Sequence, residues 1–136
     1  MTNKVDCILL IDDDEATNFL HKIVINRAGC ANKVVAVQSG ADALEFLTTK
    51  SNSRYPQPDI IFLDINMPVM DGWEFLEEYK KLDIECRAKK IVVMLTTSLN
   101  PDDRIKAEQC GLLDDFMNKP LKAEMITELL AKIDDH

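Results

Sequence analysis

Four apolar runs in this chain each end on a group that can do chemistry. Val5 to Ile11 runs into Asp12-Asp13-Asp14, and Ile60 to Leu63 into Asp64. Lys90 to Leu95 runs into Thr96, and Leu112 to Met117 into Asn118-Lys119-Pro120. Carboxylates gathered at one place repel, and their pKa values rise unless a cation joins them. A hard divalent ion resolves the conflict: Mg²⁺ takes one or two carboxylates, keeps waters and leaves room for phosphate oxygens. Asp13 and Asp64 suit direct ligation, Asp12 ligation through water, and the Asn66 main-chain carbonyl supplies a further oxygen. A carboxylate is also a nucleophile toward phosphorus. The transfer needs charge neutralised on the phosphoryl oxygens, which a metal and the Lys119 ammonium supply, while the Thr96 hydroxyl can donate to one oxygen. This inventory describes a phosphoryl-accepting site.

The groups converge only if the runs before them are parallel strands delivering their last residues to one rim, where open α/β sheets carry their sites. The pattern agrees. Strands are expected over Val5 to Ile11, Lys33 to Val37, Ile60 to Leu63, Lys90 to Leu95 and Leu112 to Met117, with longer helical patterns between them. The first helix spans Glu15 to Ala28, with Phe19, Leu20, Ile23 and Val24 as its apolar face and Gly29 as its stop. The second is capped by Ser39, with Asp42 in a capping-box-like position. The third follows Gly72. The fourth opens at Asn100-Pro101 and ends at Gly111, and the fifth runs from Lys122 to Ile133. Five β-α units predict one α/β domain with right-handed crossovers and helices on both faces of a parallel sheet. Two longer connections, Thr48 to Pro58 and Leu82 to Lys89, fall on the opposite face as surface embellishments.

Asp12-Asp13, Asp64 within Leu63-Asp64-Ile65-Asn66-Met67-Pro68, Asp71-Gly72, Thr96 and Lys119-Pro120, in that order, resemble the receiver domain of two-component response regulators. The resemblance covers nearly the whole chain. It implies a flavodoxin-like (βα)5 three-layer sandwich with strand order 2-1-3-4-5, a single domain over residues 1–136 with its core at about 5–134, and no output domain. It implies that Asp64 accepts a phosphoryl group from a sensor histidine kinase or a histidine phosphotransfer protein. Asp12, Asp13, Asp64 and the Asn66 carbonyl would hold Mg²⁺, Thr96 and Lys119 would contact the phosphoryl group, and Phe116 would be the switch aromatic beside Thr96. The Lys119-Pro120 peptide is expected to be cis. The chain would then be a signalling switch and not an enzyme, limited to Mg²⁺-dependent autophosphorylation and slow autodephosphorylation. Its output would leave through the helix 4, strand 5 and helix 5 face, toward a partner protein or a second copy in a homodimer. One departure is Thr97, where receivers usually carry Ala or Gly; its bulk would narrow access to the phosphate and slow its loss.

Composition narrows the classes further. The 16 basic and 24 acidic residues give a net charge of −8, without the basic patch a nucleic-acid face requires. The amino terminus has no secretory pattern and no run reaches membrane-span length, so a cytoplasmic protein is expected. Cys7, Cys30, Cys86 and Cys110 lack metal or redox spacing and are expected to be free thiols. A haloacid-dehalogenase-type phosphatase with Asp12 as nucleophile matches the opening strand. It wants Thr or Val where Ala16 stands, and acidic ligands after Lys119 that are not there. A flavodoxin-like mononucleotide binder is disfavoured by three aspartates where its phosphate loop would lie. A receiver-like binder that is never phosphorylated is disfavoured by the intact acceptor, acids, Thr96 and Lys119. His21, near the apolar stripe of the first helix, reads as structural or solvated.

Overall fold

The computed structural model describes residues 4–134, so the ends of the expected 1–136 domain lie outside the described residues. Five strands form one parallel sheet: β1 (Val5–Ile11), β2 (Ala31–Val37), β3 (Ile60–Leu63), β4 (Ile91–Thr96) and β5 (Asp115–Asn118). Their order is β2-β1-β3-β4-β5. The helices are α1 (Glu15–Ala28), α2 (Gly40–Thr48), α3 (Gly72–Tyr79), α4 (Pro101–Cys110) and α5 (Ala123–Asp134), with a 3₁₀ turn at Ile84–Cys86.

Side chains alternate across a strand, and here the alternation divides the sheet between two cores. Ile8, Leu10, Ile60, Phe62, Val93 and Leu95 face one core with Ile25 of α1 and Ile126 and Leu129 of α5. Leu9, Ile11, Ile61, Leu63, Val92 and Met94 face the other with α2 and α3 residues such as Leu47 and Phe75. Both faces being covered explains why β3 is apolar throughout and wholly buried. The register pairs Leu10 with Phe62 and Ile11 with Leu63. Asp12 and Asp64 are therefore the next residues of two strands in step, and the alternation sends both toward the α1 and α5 side.

Helix ends follow local chemistry. Asp14 accepts from Ala16 N–H at the start of α1, and Gly29 closes it in the left-handed region with φ 63°. Asp71 and Glu74 form a reciprocal capping box on α3 that Gly72 alone did not reveal. Two expectations need correction. The buried face of α1 is Asn18, His21 and Ile25, whereas Phe19 and Leu20 are 64% and 60% exposed. The last strand is Asp115–Asn118 and not Leu112 to Met117, because Leu112 and Leu113 pack onto the second core before the strand begins. β2 and β4 also extend past the expected bounds, β2 to Ala31 and β4 through Thr96. The expected long connections do lie at the amino-terminal ends of β3 and β4. On that face the buried Asp59 accepts from Asp6 N–H (2.7 Å) and Cys7 N–H (3.1 Å).

Gly72 ties the fold to the site. Its N–H donates to Ile65 O at 2.8 Å. A Cβ there would stand 2.5 Å from Asp64 O and 3.0 Å from Ile65 Cα. Only glycine lets α3 start so close to the turn that carries Asp64. Gly72→Ala should therefore lower stability in urea denaturation by about 1–3 kcal/mol, the usual cost of overpacking. Gly40→Ala should cost less, because the atoms it would meet belong to the flexible Met70 side chain.

Candidate functional site

At the carboxyl rim of β1 and β3, Asp12, Asp13 and Asp64 bring one carboxylate oxygen each within 4.8 Å of one another. Asp12 and Asp64 are buried and Asp13 is exposed. Lys119, which follows β5, places its Nζ against Asp12 Oδ2 as an ion pair and 3.4 Å from Asp64 Oδ1. The lysine therefore bridges the two buried acids.

Each member is fixed from its backbone outward. Asp64 N–H donates to Ile11 O at 3.0 Å and Asp12 N–H to Val37 O at 3.2 Å, which continue the sheet bonding one residue past the strands. Asp12 Oδ1 accepts from Asp14 N–H at 2.9 Å. Asp14 is turned away as the α1 cap, and the Thr17 hydroxyl, followed by the Ala16 N–H, holds its carboxyl below the usual range. Lys119 N–H donates to Thr96 O at 2.8 Å, so β4 supports the loop that carries the ammonium. The Lys119-Pro120 bond is cis.

Burial raises the Asp64 pKa above its ordinary value; Lys119 opposes this, and the neighbouring charges of Asp12 and Asp13 reinforce it. The result is a buried carboxylate with one cation shared between two acids. The donor set fits a hard divalent ion, since all three groups offer carboxylate oxygens.

Thr96 is fully buried, and its Oγ1 accepts from Ser98 N–H at 3.1 Å. Ser98 Oγ in turn donates to Asp103 Oδ2 of α4 at 2.5 Å. Phe116 stands apart from the acids: it is half-buried on β5, with the Arg104 guanidinium 5.3 Å from its ring centre. Asn66 and Thr97 are exposed on the loops that follow Asp64 and Thr96. Trp73 is half-buried on α3, with Lys106 Nζ 4.9 Å from its ring centre. Cys7, Cys30 and Cys86 are buried and Cys110 is half-buried, all of them free.

Reading the sequence for apolar periodicity missed the polar inner face of α1. Asn18 Nδ2 donates to Asp12 O (2.8 Å) and Val37 O (3.2 Å). His21 is buried, and its Nε2 accepts from Leu121 N–H at 3.4 Å. The signal was available in the i, i+3, i+7 spacing of Asn18, His21 and Ile25.

The raised Asp64 pKa has a consequence for stability. A carboxyl whose folded-state pKa is raised penalises the fold above its unfolded-state pKa, and the penalty disappears once both states are protonated. In EDTA, Asp64→Asn should raise Tm at neutral pH, and the gain should fade as the solution is acidified toward the ordinary aspartate range. Thermal melts across pH check the sign.

Residues 8–131 match the response regulator receiver domain family. The chain is 32% identical over 126 residues to hybrid signal transduction histidine kinase L of Dictyostelium discoideum, covering 92% of this chain and 7% of that protein. It spans 52% of a rice two-component response regulator to which it is 31% identical. A two-component response regulator from Cytophaga hutchinsonii has the same fold, with TM-score 0.84, 35% identity and coverage of 98% of this chain and 100% of that one. The receiver domain of a Pseudomonas aeruginosa sensor histidine kinase, 21% identical with TM-score 0.76, covers 97% of this chain and 99% of its own, and carries a magnesium ion in its active-site cleft. With five parallel strands in the order β2-β1-β3-β4-β5 and acids gathered at their carboxyl rim, the chain belongs to the response regulator receiver domain family.

Proposed function

We propose that this chain is a phosphorylation-dependent response regulator in a two-component phosphorelay, accepting a phosphoryl group on Asp64. The observation that carries this reading is the Lys119 bridge between Asp12 and Asp64 beside the exposed Asp13. Asp12, Asp13, Asp64 and the Asn66 carbonyl would hold Mg²⁺, which would supply charge to offset that of the phosphoryl oxygens. An Asp64 carboxylate oxygen attacks phosphorus, the bond from phosphorus to the donor breaks, and the leaving group departs with the electron pair. Lys119 Nζ, already 3.4 Å from Asp64, pairs with a phosphoryl oxygen. The Thr96 hydroxyl accepts from Ser98 N–H and keeps its own proton to donate to another. Slow hydrolysis of the aspartyl phosphate resets the switch.

The donor is a sensor histidine kinase or a histidine phosphotransfer protein. Large exposed apolar residues support a protein donor at this rim: Phe19 and Leu20 on α1, Val69 after Asp64 and Leu99 after Thr96. Output follows from Thr96 moving toward the phosphoryl group and Phe116 leaving the Arg104 side of β5 for the space released, which changes the α4-β5-α5 face. That face binds a partner protein or a second copy. No helix among the described residues is long and apolar enough to cross a membrane.

Intact mass of wild type and Asp64→Asn after incubation with acetyl phosphate and Mg²⁺ tests the reading. One phosphoryl group on wild type, dependent on Mg²⁺ and lost in the variant, is the expected result. An adduct that persists in Asp64→Asn would move the acceptor to Asp12 and with it the chemistry to a phosphatase type. Thr97→Ala, which trims an exposed side chain beside Thr96, should load faster from acetyl phosphate and lose the phosphoryl group sooner. Loss is followed by the decay of the adduct mass after the donor is removed.

A further inference from the structure

α1 meets the sheet with a polar pair where a helix of this kind ordinarily presents an apolar stripe. Asn18 and His21 are both buried, one turn apart, and both line a small cavity with Asp12, Asp64, Leu10 and Phe62. A buried polar side chain is the informative exception in a core, because burial costs free energy unless a bond offsets it. The bonds here run to the two flanks of the phosphoryl site. Asn18 holds the main-chain carbonyl of Asp12. His21 holds the main-chain N–H of Leu121, a hundred residues away in sequence.

The second bond matters because of what the β5-α5 connection lacks. Pro120 has no N–H, so Lys119 and Leu121 supply the main-chain donors on either side of it. Lys119 N–H is taken by Thr96 O on the β4 side. Leu121 N–H belongs to a buried residue and needs an acceptor. On the α1 side that acceptor is His21 Nε2. An imidazole accepting at Nε2 is the neutral tautomer with its proton on Nδ1. Burial, helped by the nearby Lys119 charge, holds the His21 pKa below its ordinary value and so favours that form.

We propose that His21 is a positioning residue for phosphoryl transfer: by accepting the Leu121 N–H it ties α1 to the loop that carries Lys119 and sets where the ammonium stands relative to Asp64. The inference rests on the proposed function, since it names what holds the cation of that site. Asn18 and His21 together make α1 a spacer between Asp12 and Lys119. Because Lys119 acts on the phosphoryl oxygens but also pairs with Asp12 and Asp64, loosening its loop slows transfer while leaving those acids at least as free to take the metal.

The test uses the whole chain as wild type, His21→Leu and His21→Gln. Leucine fills the site without an acceptor, and glutamine returns an amide oxygen near the position of Nε2. The maximal rate of phosphorylation by acetyl phosphate should fall roughly tenfold in His21→Leu, the scale of one lost hydrogen bond acting on a barrier. Mg²⁺ affinity by calorimetry should not fall in His21→Leu, and the rate in His21→Gln should recover to within about twofold of wild type. The Leu121 amide should exchange with solvent faster in His21→Leu and be protected again in His21→Gln. A wild-type rate in His21→Leu overturns the proposal. So do equal losses, or loss of fold, in both variants, since His21 would then serve packing alone. If wild type itself takes no phosphoryl group, the proposed function fails, and Leu121 exchange still decides whether His21 holds the loop.

Discussion

Three carboxylates and one lysine meeting at the edge of a buried sheet form the constraint on which the rest of this structure turns. Two of the acids are buried, and Lys119 stands between them and pairs with both. Like charges in a low-dielectric place repel strongly, and one cation cannot fully satisfy two anions. Burial and the Asp12 and Asp13 charges therefore leave Asp64 harder to ionise than an ordinary aspartate, despite the lysine beside it. Such an arrangement is poor as a stability device, since a buried ion pair rarely repays its desolvation. On the proposed function, its value lies in what it would accept: a divalent cation to relieve the repulsion, and a phosphoryl group whose oxygens would give Lys119 a new partner.

The fold holds this tension by fixing backbones and leaving the charged atoms to follow. β1 and β3 run in step, so Asp12 and Asp64 emerge side by side. Sheet-like bonds continue one residue beyond both strands, through Asp64 N–H to Ile11 O and Asp12 N–H to Val37 O. Gly72 lets α3 begin in contact with the Asp64 carbonyl, where any side chain would collide with main chain. On the far side, Thr96 O fixes Lys119 N–H. The charged groups thus stand at the ends of rigid elements, and the repulsion among them is borne by the hydrophobic cores on the two sheet faces.

Much of this was legible in the sequence because buried parallel strands leave few alternatives. Ile60 to Leu63 was readable to the residue, since a strand covered on both faces has to be apolar throughout. The strand-end residues Asp12, Asp64 and Lys119 followed from the same reading, and the structure brings them together as anticipated. Two errors come from reading apolar character too directly, as burial on α1 and as strand ahead of β5. Phe19 and Leu20 are exposed on α1, while Asn18 and His21 occupy its inner face because the rim they meet offers polar partners. Leu112 and Leu113 are apolar in order to cover the second core, not to extend β5. Asp59, pinning two amides of β1 from just ahead of the neighbouring β3, could not be told from a surface loop residue without the fold in three dimensions.

The outer surface is arranged in keeping with the proposed exchange of partners. α4 is polar along most of its length, and its Arg104 covers the ring of Phe116 while its Asp103 takes the Ser98 hydroxyl. The Thr96 hydroxyl oxygen accepts from the Ser98 amide, so Thr96, Ser98 and Asp103 form one chain of polar contacts from the site to α4. On the proposed function, a phosphoryl group that draws the Thr96 hydroxyl toward itself competes with the Ser98 amide for the position of that oxygen. Ser98 cannot move without disturbing its bond to Asp103 at the first turn of α4. The Arg104 cover over Phe116 sits on that same turn and is weakened with it. On that proposal, a charge change at Asp64 would reach the α4-β5-α5 face through a short run of hydrogen bonds and one cation–π contact, both small enough in energy for a phosphoryl group to outweigh.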